Sequence, residues 1–230
     1  MTHTQLTRAI TTALLGGALF AAASAGFATT TLTVKGTVSP AACTPTFVGG
    51  SSKVDFGATY ASNLTPDGYK DLGTRDITLQ VTCDAPVVAV MRVTDSRATS
   101  TIAAANIALD NVAATKLFGL GTAKDATDKD VQIGSYNIKI KSAPTVDATA
   151  SSSAITTSDK KTWAKAATAQ YLTADGSEFY AAGTAANANI SGLVTQFPMT
   201  LHAVANKGNV LPTTADITLD GAAQFEVSYL

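Results

Sequence analysis

Residues 31–38 read Thr-Leu-Thr-Val-Lys-Gly-Thr-Val. Leu32, Val34 and Val38 fall on one side of an extended chain, and Thr33, Lys35 and Thr37 fall on the other. That two-residue period predicts a strand with one buried face. Gly36 lies on the apolar side, where a missing side chain permits close approach or a bulge. The same pattern recurs at 76–83, with Ile77, Leu79 and Val81 inward, and at 87–94 and 196–205. It returns at 224–230, where Phe225, Val227 and Tyr229 alternate with Glu226 and Ser228. Shorter strands are predicted at 53–56, 117–120, 133–140 and 215–219. Turn-forming residues separate them, among them Pro40, Pro45, Gly49-Gly50, Pro66-Asp67-Gly68 and Asp84-Ala85-Pro86. Many short strands at this spacing point to an all-β sandwich.

The middle of the chain is less regular. A charged turn at 124–130 reads as a solvated hairpin end, and 143–159, rich in Ala, Ser and Thr, reads as a mobile loop. Residues 163–172 fit a short helix or a strand equally well, and 181–189 is loop-like. The tetrapeptide Asp-Ile-Thr-Leu occurs at 76–79 and again at 216–219, but nothing around it repeats, so a solenoid is not indicated.

Composition narrows the function. The chain has 230 residues, 46% hydrophobic and 14% charged, with a formal charge of −1. This argues against collagen, coiled coil and wholesale disorder, and it supplies no basic field for nucleic acid. With two histidines and two cysteines, few side chains are suited to metal or nucleophilic chemistry. His202 lies between Leu201 and Ala203 in an alternating strand and points away from both, as a surface or groove-rim residue. Asp125, Asp128 and Asp130 are interleaved with Lys124 and Lys129 and lack a calcium-loop glycine pattern. Gly119-Leu120-Gly121 lacks the continuation of a phosphate cradle. The expectation is a non-enzymatic protein with no cofactor and no metal.

Residues 1–28 have the form of an export signal: Arg8, then the apolar run 13–21, then small residues ending in Gly26-Phe27-Ala28. The apolar run is shorter than the roughly 20 residues of a bilayer span, so no membrane span is expected after cleavage. The mature chain, 29–230, is read as a single domain. An exported chain enters an oxidising compartment, where Cys43 and Cys83 are most simply one disulfide. Closing that 40-residue separation is worth about 3–4 kcal/mol in the chain-entropy model.

Residues 31–43, continuing through Ser-Pro-Ala-Ala-Cys, resemble the first strand of chaperone-usher pilins. Phe197-Pro198-Met199-Thr200-Leu201 with Ala203-Val204-Ala205 is similar to a pilin's penultimate strand, and Phe225 to Leu230 to its terminal strand. The cysteine placement is similar to the family's single disulfide. More closely, 36–43, 80–86 and 217–221 resemble a fimbrial-like family of exported bacterial proteins without an assigned biochemical role. The resemblance covers roughly 31–97 and 196–230.

It implies an incomplete immunoglobulin-like sandwich, one strand short, that accepts a strand by β-augmentation. The implied partners are a periplasmic chaperone, an outer-membrane usher and neighbouring fimbrial subunits, on the way to a cell-surface fimbrium. Leu32, Val34, Val38, Phe225, Val227, Tyr229 and Leu230 are the implied pairing residues, with the Leu230 carboxylate anchored by the chaperone. Only Thr29 and Thr30 precede the first strand after cleavage. The subunit is therefore expected to accept a strand and scarcely donate one, which places it at a fibre tip. The alternative is a self-complemented sandwich that binds a ligand, its groove filled by the middle segment. Trp163, Tyr171, Phe179 and Tyr180 form either a platform for surface carbohydrate or the anchors of that long insertion.

Overall fold

In the computed structural model the described residues are 35, 41–167, 170–212 and 215–230. Residues 1–28, read as an export signal, and Leu32, Val34 and Val38 lie outside them. The chain divides into two units, Met1–Ser39 and Pro40–Leu230, and the second carries every described strand.

Its strands in chain order are β1 (Cys43–Phe47), β2 (Lys70–Val87), β3 (Ala89–Asp95), β4 (Leu117–Gly119), β5 (Thr122–Lys124), β6 (Asp130–Gln132) and β7 (Gly134–Ile140). Beyond these come β8 (Thr145–Val146), β9 (Thr149–Ala150), β10 (Ser153–Thr157), β11 (Ala164–Lys165), β12 (Phe179–Gly183), β13 (Gly192–Ala205) and β14 (Ala223–Tyr229). One sheet has the order β1-β2-β13-β7-β4, with the β8–β9 hairpin attached to β13. The other has the order β11-β10-β12-β3-β14, and all pairs are antiparallel. The chain passes from the first sheet to the second at Val88, between Val87 of β2, paired with Gly192, and Ala89 of β3, paired with Tyr229.

This is the all-β sandwich that the alternation predicts. Leu79, Val81, Phe197, Met199 and Ile138 of the first sheet share one buried cluster with Met91, Val93 and Tyr180 of the second. Phe118 and Tyr136 stack at 5.1 Å within it. Cys43 stands directly opposite Cys83 in the β1–β2 ladder, with Cα atoms 4.1 Å apart, and the two form the disulfide. The ladder bonds flanking them, from Asp84 N to Ala42 O and from Val48 N to Thr78 O, make this a non-hydrogen-bonded pair. That is the closer of the two antiparallel spacings.

A proline in a central strand needs an explanation, because proline removes a ladder donor. Pro198 of β13 pairs with Thr78 of β2, yet its carbonyl points the other way and accepts from Lys141 N at 2.9 Å. On that side β7 ends at Ile140 and β8 starts at Thr145. The missing N–H therefore falls in a gap between partner strands.

Several expectations are corrected. Residues 143–159 are not a loop: they carry β8, β9 and β10, with Ile155 fully buried. Residues 181–183 end β12, where Ala181 and Ala182 are buried. Small residues are needed there: a Cβ on Gly183 would come within 2.3 Å of the Ile155 side chain. The Ala, Ser and Thr content thus reflects tight sheet packing. Among the described residues of 163–172 only Ala164–Lys165 is a strand. Residues 53–56 and 215–219 are not strands, because no described strand lies alongside to pair with them. The 124–130 turn is a hairpin end as expected: β5 and β6 flank it, and Asp125 accepts the N–H groups of Thr127 and Lys129.

The Cys43–Cys83 bond ties the edge strand β1 to β2. Replacing both cysteines by serine is expected to lower unfolding stability by about 3–4 kcal/mol, measured as a shift in the urea midpoint against the oxidised parent.

Candidate functional site

Both sheets end on the same side of the sandwich, and there they part. β1 is the last strand of one sheet and β14 of the other. Phe47 and Phe225 meet across the gap edge to face, 5.6 Å between ring centres. Below that contact an apolar hollow of about 510 Å³ opens between Val54 and Phe56 on one wall and Leu219, Ala223 and Phe225 on the other. Its floor includes Ile77, Leu120, Tyr136, Ile138 and Leu201. Burial pushes the Tyr136 phenol pKa upward, with Asp95 adding to the effect, so the hydroxyl stays neutral. A second hollow of about 470 Å³ continues past Leu219 between Tyr60, Leu64 and Leu72 on one side and Leu211 and Ile217 on the other.

The two flanks differ in what their backbones offer. In β14, Leu230 exchanges hydrogen bonds with Val88, and Ala222 O accepts from Ser96 N at 2.8 Å. Residues at even positions therefore face β3, and by the alternation of an antiparallel ladder Ala223, Phe225, Val227 and Tyr229 turn their N–H and C=O groups outward. No described strand pairs with that edge. The side chains of Phe225 and Val227 are only half-buried. Fully burying such a side chain is worth about 1.5–3 kcal/mol, so part of that gain is unrealised. In β1 the residues bonded to β2 are again the even ones, which leaves Pro45 on the outer side. Proline costs the β2 ladder nothing there, and it removes one donor from the outer edge. β14 is the continuous template of the two.

Other contacts hold β14 and its approach in place. On its outward face Arg92 donates to Glu226 at 2.6 Å, and Lys160 donates to Ser228 at 2.9 Å. Upstream, Arg97 grips Asp220 through Nε and Nη2 at 2.8 and 3.1 Å, while Asp220 N donates to Leu120 O. The Arg97 hydrogen bonds hold the Asp220 carboxyl below its usual range, and Asp220 raises the guanidinium in turn.

Of the residues singled out from sequence, Phe225 lines the opening, Val227 is half-buried farther along β14, and Tyr229 and Leu230 are 43% and 51% exposed at the end of the chain. Leu32, Val34 and Val38 lie outside the described residues. The four aromatics do not form one surface. Tyr180 is buried in the main core, donating to Glu178 Oε2 at 2.6 Å and accepting from Thr173 N. Trp163 and Phe179 pack on Val90, Ile155 and Ala181, on the opposite face of β12 from Tyr180. Tyr171 packs in a third cluster with Leu109 and Val204. They anchor the insertion at three places.

His202 is not at the groove. It bridges Asp71 and Asp110 at 3.1 and 3.2 Å on the far face of the first sheet. Burial acts to raise the Asp110 carboxyl, but hydrogen bonds from Asn137 and His202 win and hold it low. The insertion does not fill the groove. Its strands extend the sandwich beyond β13 and β3, away from the opening, and among its described residues only Leu120, Tyr136 and Ile138 reach the first hollow, as floor. Sequence reasoning missed Phe47, Tyr60, Leu211 and Leu219 as lining. For 53–56 and 215–219 the alternation was visible, but its meaning as groove wall was not.

Among known proteins, residues 32–137 match the model of a family described as a protein of unknown function (DUF1120). The chain is 28% identical over 253 residues to Protein GltF of Escherichia coli (strain K12), covering 96% of this chain and 98% of that protein. It is 28% identical over 243 residues to Uncharacterized protein YhcF of Escherichia coli (strain K12), covering 94% and 97%. The chain is thus similar, nearly end to end, to two Escherichia coli proteins that it covers almost completely. The family match takes in β1, β2 and β3, so it includes the β1 flank of the groove and the disulfide.

The Asp220 pKa is depressed in the folded state. Its contribution to stability is therefore present above the ordinary carboxylate pKa of about 3.9 and is lost as pH falls through the lowered value. Asp220→Asn is expected to be less stable than the parent near neutral pH, with the difference closing as pH falls through the lowered pKa. Urea midpoints measured across that range check it.

Proposed function

We propose that this protein is an exported, non-catalytic subunit of the fimbrial kind, completed by an extended strand from another polypeptide. The observation that carries the reading is the outer edge of β14, unpaired among the described residues, beside an apolar groove, with Phe225 and Val227 half-buried along that strand. A strand laid there meets the backbone groups of Ala223, Phe225, Val227 and Tyr229 with its own, and its alternate side chains enter the hollow. This is β-augmentation, in which backbone bonds supply affinity and pockets supply selectivity. An open edge beside exposed apolar surface is also an aggregation hazard. That is the physical need for a chaperone during transit and for a neighbouring subunit afterwards. The similarity in sequence to chaperone-usher pilins supports the same assignment, as does the export signal read at residues 1–28.

The test uses the mature chain and a soluble 12-residue peptide of alternating valine and threonine. Binding followed by fluorescence anisotropy, with a rise in melting temperature, is the expected result. At a hundred times Kd the stabilisation is about 2.7 kcal/mol. Val227→Asp places a charge at a half-buried wall position and is expected to weaken binding at least about tenfold, with the far-ultraviolet spectrum of the free protein unchanged. A chain that binds no strand peptide and remains monomeric and soluble without one overturns the assignment.

A further inference from the structure

His202 is the only histidine in residues 29–230. It stands in β13 between Thr74 of β2 on one side and Asn137 of β7 on the other. Both of its ring nitrogens lie against carboxylates: Nε2 is 3.1 Å from Asp71 Oδ1, and Nδ1 is 3.2 Å from Asp110 Oδ2. An ionised carboxylate can only accept, and a neutral imidazole carries one N–H and one lone pair. The ring therefore donates to both partners only as the doubly protonated cation. A neutral ring turns a lone pair toward one of the two carboxylates, which is repulsive.

The two carboxylates belong to different parts of the fold. Asp71 lies in β2, where its Oδ1 also accepts from Gly73 N at 2.6 Å. Asp110 lies in the segment 102–112, which packs Ala105, Leu109 and Val112 on Val204 of β13 and Leu117 of β4. That segment holds a 3-10 helix, Ala103–Ala108, and turns back through Asp110 and Asn111 at φ 58° and 54°. Aspartate and asparagine tolerate this left-handed region better than most residues, but it is sparsely populated even for them. The turn is tied to the sheet by Asn137, whose Nδ2 donates to Leu109 O and Asp110 Oδ2 at 3.3 and 3.0 Å, and by His202. Ile102 N donates to Ser135 Oγ at the start of the segment. Lys139 of β7 places a positive charge near Asp110. Burial and the Asp110 charge push the Tyr171 phenol upward, so it stays neutral. Lys116 is engaged with Tyr171 O and Glu178, and Lys207 with the Tyr69 ring. Among these side-chain types only histidine ordinarily changes charge between pH about 5 and 8.

We infer that His202 is a pH-dependent clasp, fastening the segment 102–112 to the first sheet while its ring is charged and slackening it when the ring is neutral. Slackening frees the left-handed turn at Asp110 and Asn111 and loosens the cover over Val204 and Leu117, which are buried beneath it. Leu117 belongs to β4, the last strand of this sheet on the side remote from the groove. The apolar contacts of Ala105, Leu109 and Val112 do not titrate, so the change is a local opening and the sandwich stays folded. The clasp lies apart from the strand-accepting edge of β14, and neither depends on the other.

The test follows amide exchange in the mature chain at Leu109, Asn111 and Val112, whose N–H groups bond within the segment. Rates are taken at pH about 5 and about 8, on either side of the ordinary histidine range, and each is divided by the intrinsic rate at that pH. Protection at these amides is expected to drop at least about tenfold at the higher pH, the size of one hydrogen bond to a charged group. Protection along β2 and β13 is expected to hold. With one histidine in the mature chain the ring nitrogen resonances need no assignment, and the second ring proton should leave over the same pH interval. His202→Gln is expected to give the lower protection at both pH values. Asp71→Asn alters an exposed side chain that can still accept from Gly73, and it offers the neutral ring a donor, so most of the drop should vanish. Protection that ignores pH in the parent, or that persists after the ring has become neutral, overturns the inference. So does an undiminished drop in Asp71→Asn, which decides the matter even where His202→Gln fails to fold.

Discussion

A β-strand has two hydrogen-bonding edges, and burying only one of them leaves a row of donors and acceptors that something else must meet. The architecture of this protein is organised around that constraint at β14. Its even-numbered residues are bound to β3, its odd-numbered residues carry both the inward side chains and the outward backbone groups, and the two properties cannot be separated. Whatever satisfies the edge also covers Phe225 and Val227. The apolar surface and the outward backbone groups therefore lie together, and under the strand-accepting proposal one extended backbone meets both.

Among the described residues, the rest of the molecule stiffens this site without closing it. The disulfide fastens β1 to β2 at one flank, and Pro45 leaves that flank a poor template on its outer side. Arg92, Glu226, Lys160 and Ser228 brace the solvent face of β14. The loop that supplies Lys160 is itself held by Asp159, which accepts from the Thr162 and Lys161 N–H groups and from Thr157. These bonds lower its carboxyl to about 2. The long insertion is spent on widening both sheets at the edges remote from the groove, where it adds β7 and β4 to one and β12, β10 and β11 to the other.

Much of the frame was legible in the residues. Ile77, Leu79 and Val81, Phe197, Met199 and Leu201, and Phe225 and Val227 alternate cleanly because each strand has one wet face and one dry face. The disulfide followed from two cysteines in a chain whose first residues read as an export signal. The insertion was harder to read because its strands are built from Ala, Ser, Thr and Gly. Ala181 and Gly183 are small because Ile155 lies against them. That is a property of the neighbour, and composition alone reads it as loop. The aromatic quartet failed as a unit for a related reason: Phe179 and Tyr180 are adjacent in one strand and so point to opposite faces.

Sequence by itself determined the class of fold, the positions of the major strands, the disulfide and the inward faces of β2, β13 and β14, since all of these follow from local alternation and residue chemistry. Tertiary structure alone decided that Pro198 could sit in a central strand, because only the break between β7 and β8 makes its missing donor harmless. It likewise decided that 53–56 and 215–219 would be groove walls and not ladder strands. Alternation fixes which way a side chain points, but a hydrogen-bonded strand needs a neighbour, and which neighbour is present is a fact about the whole assembly of sheets.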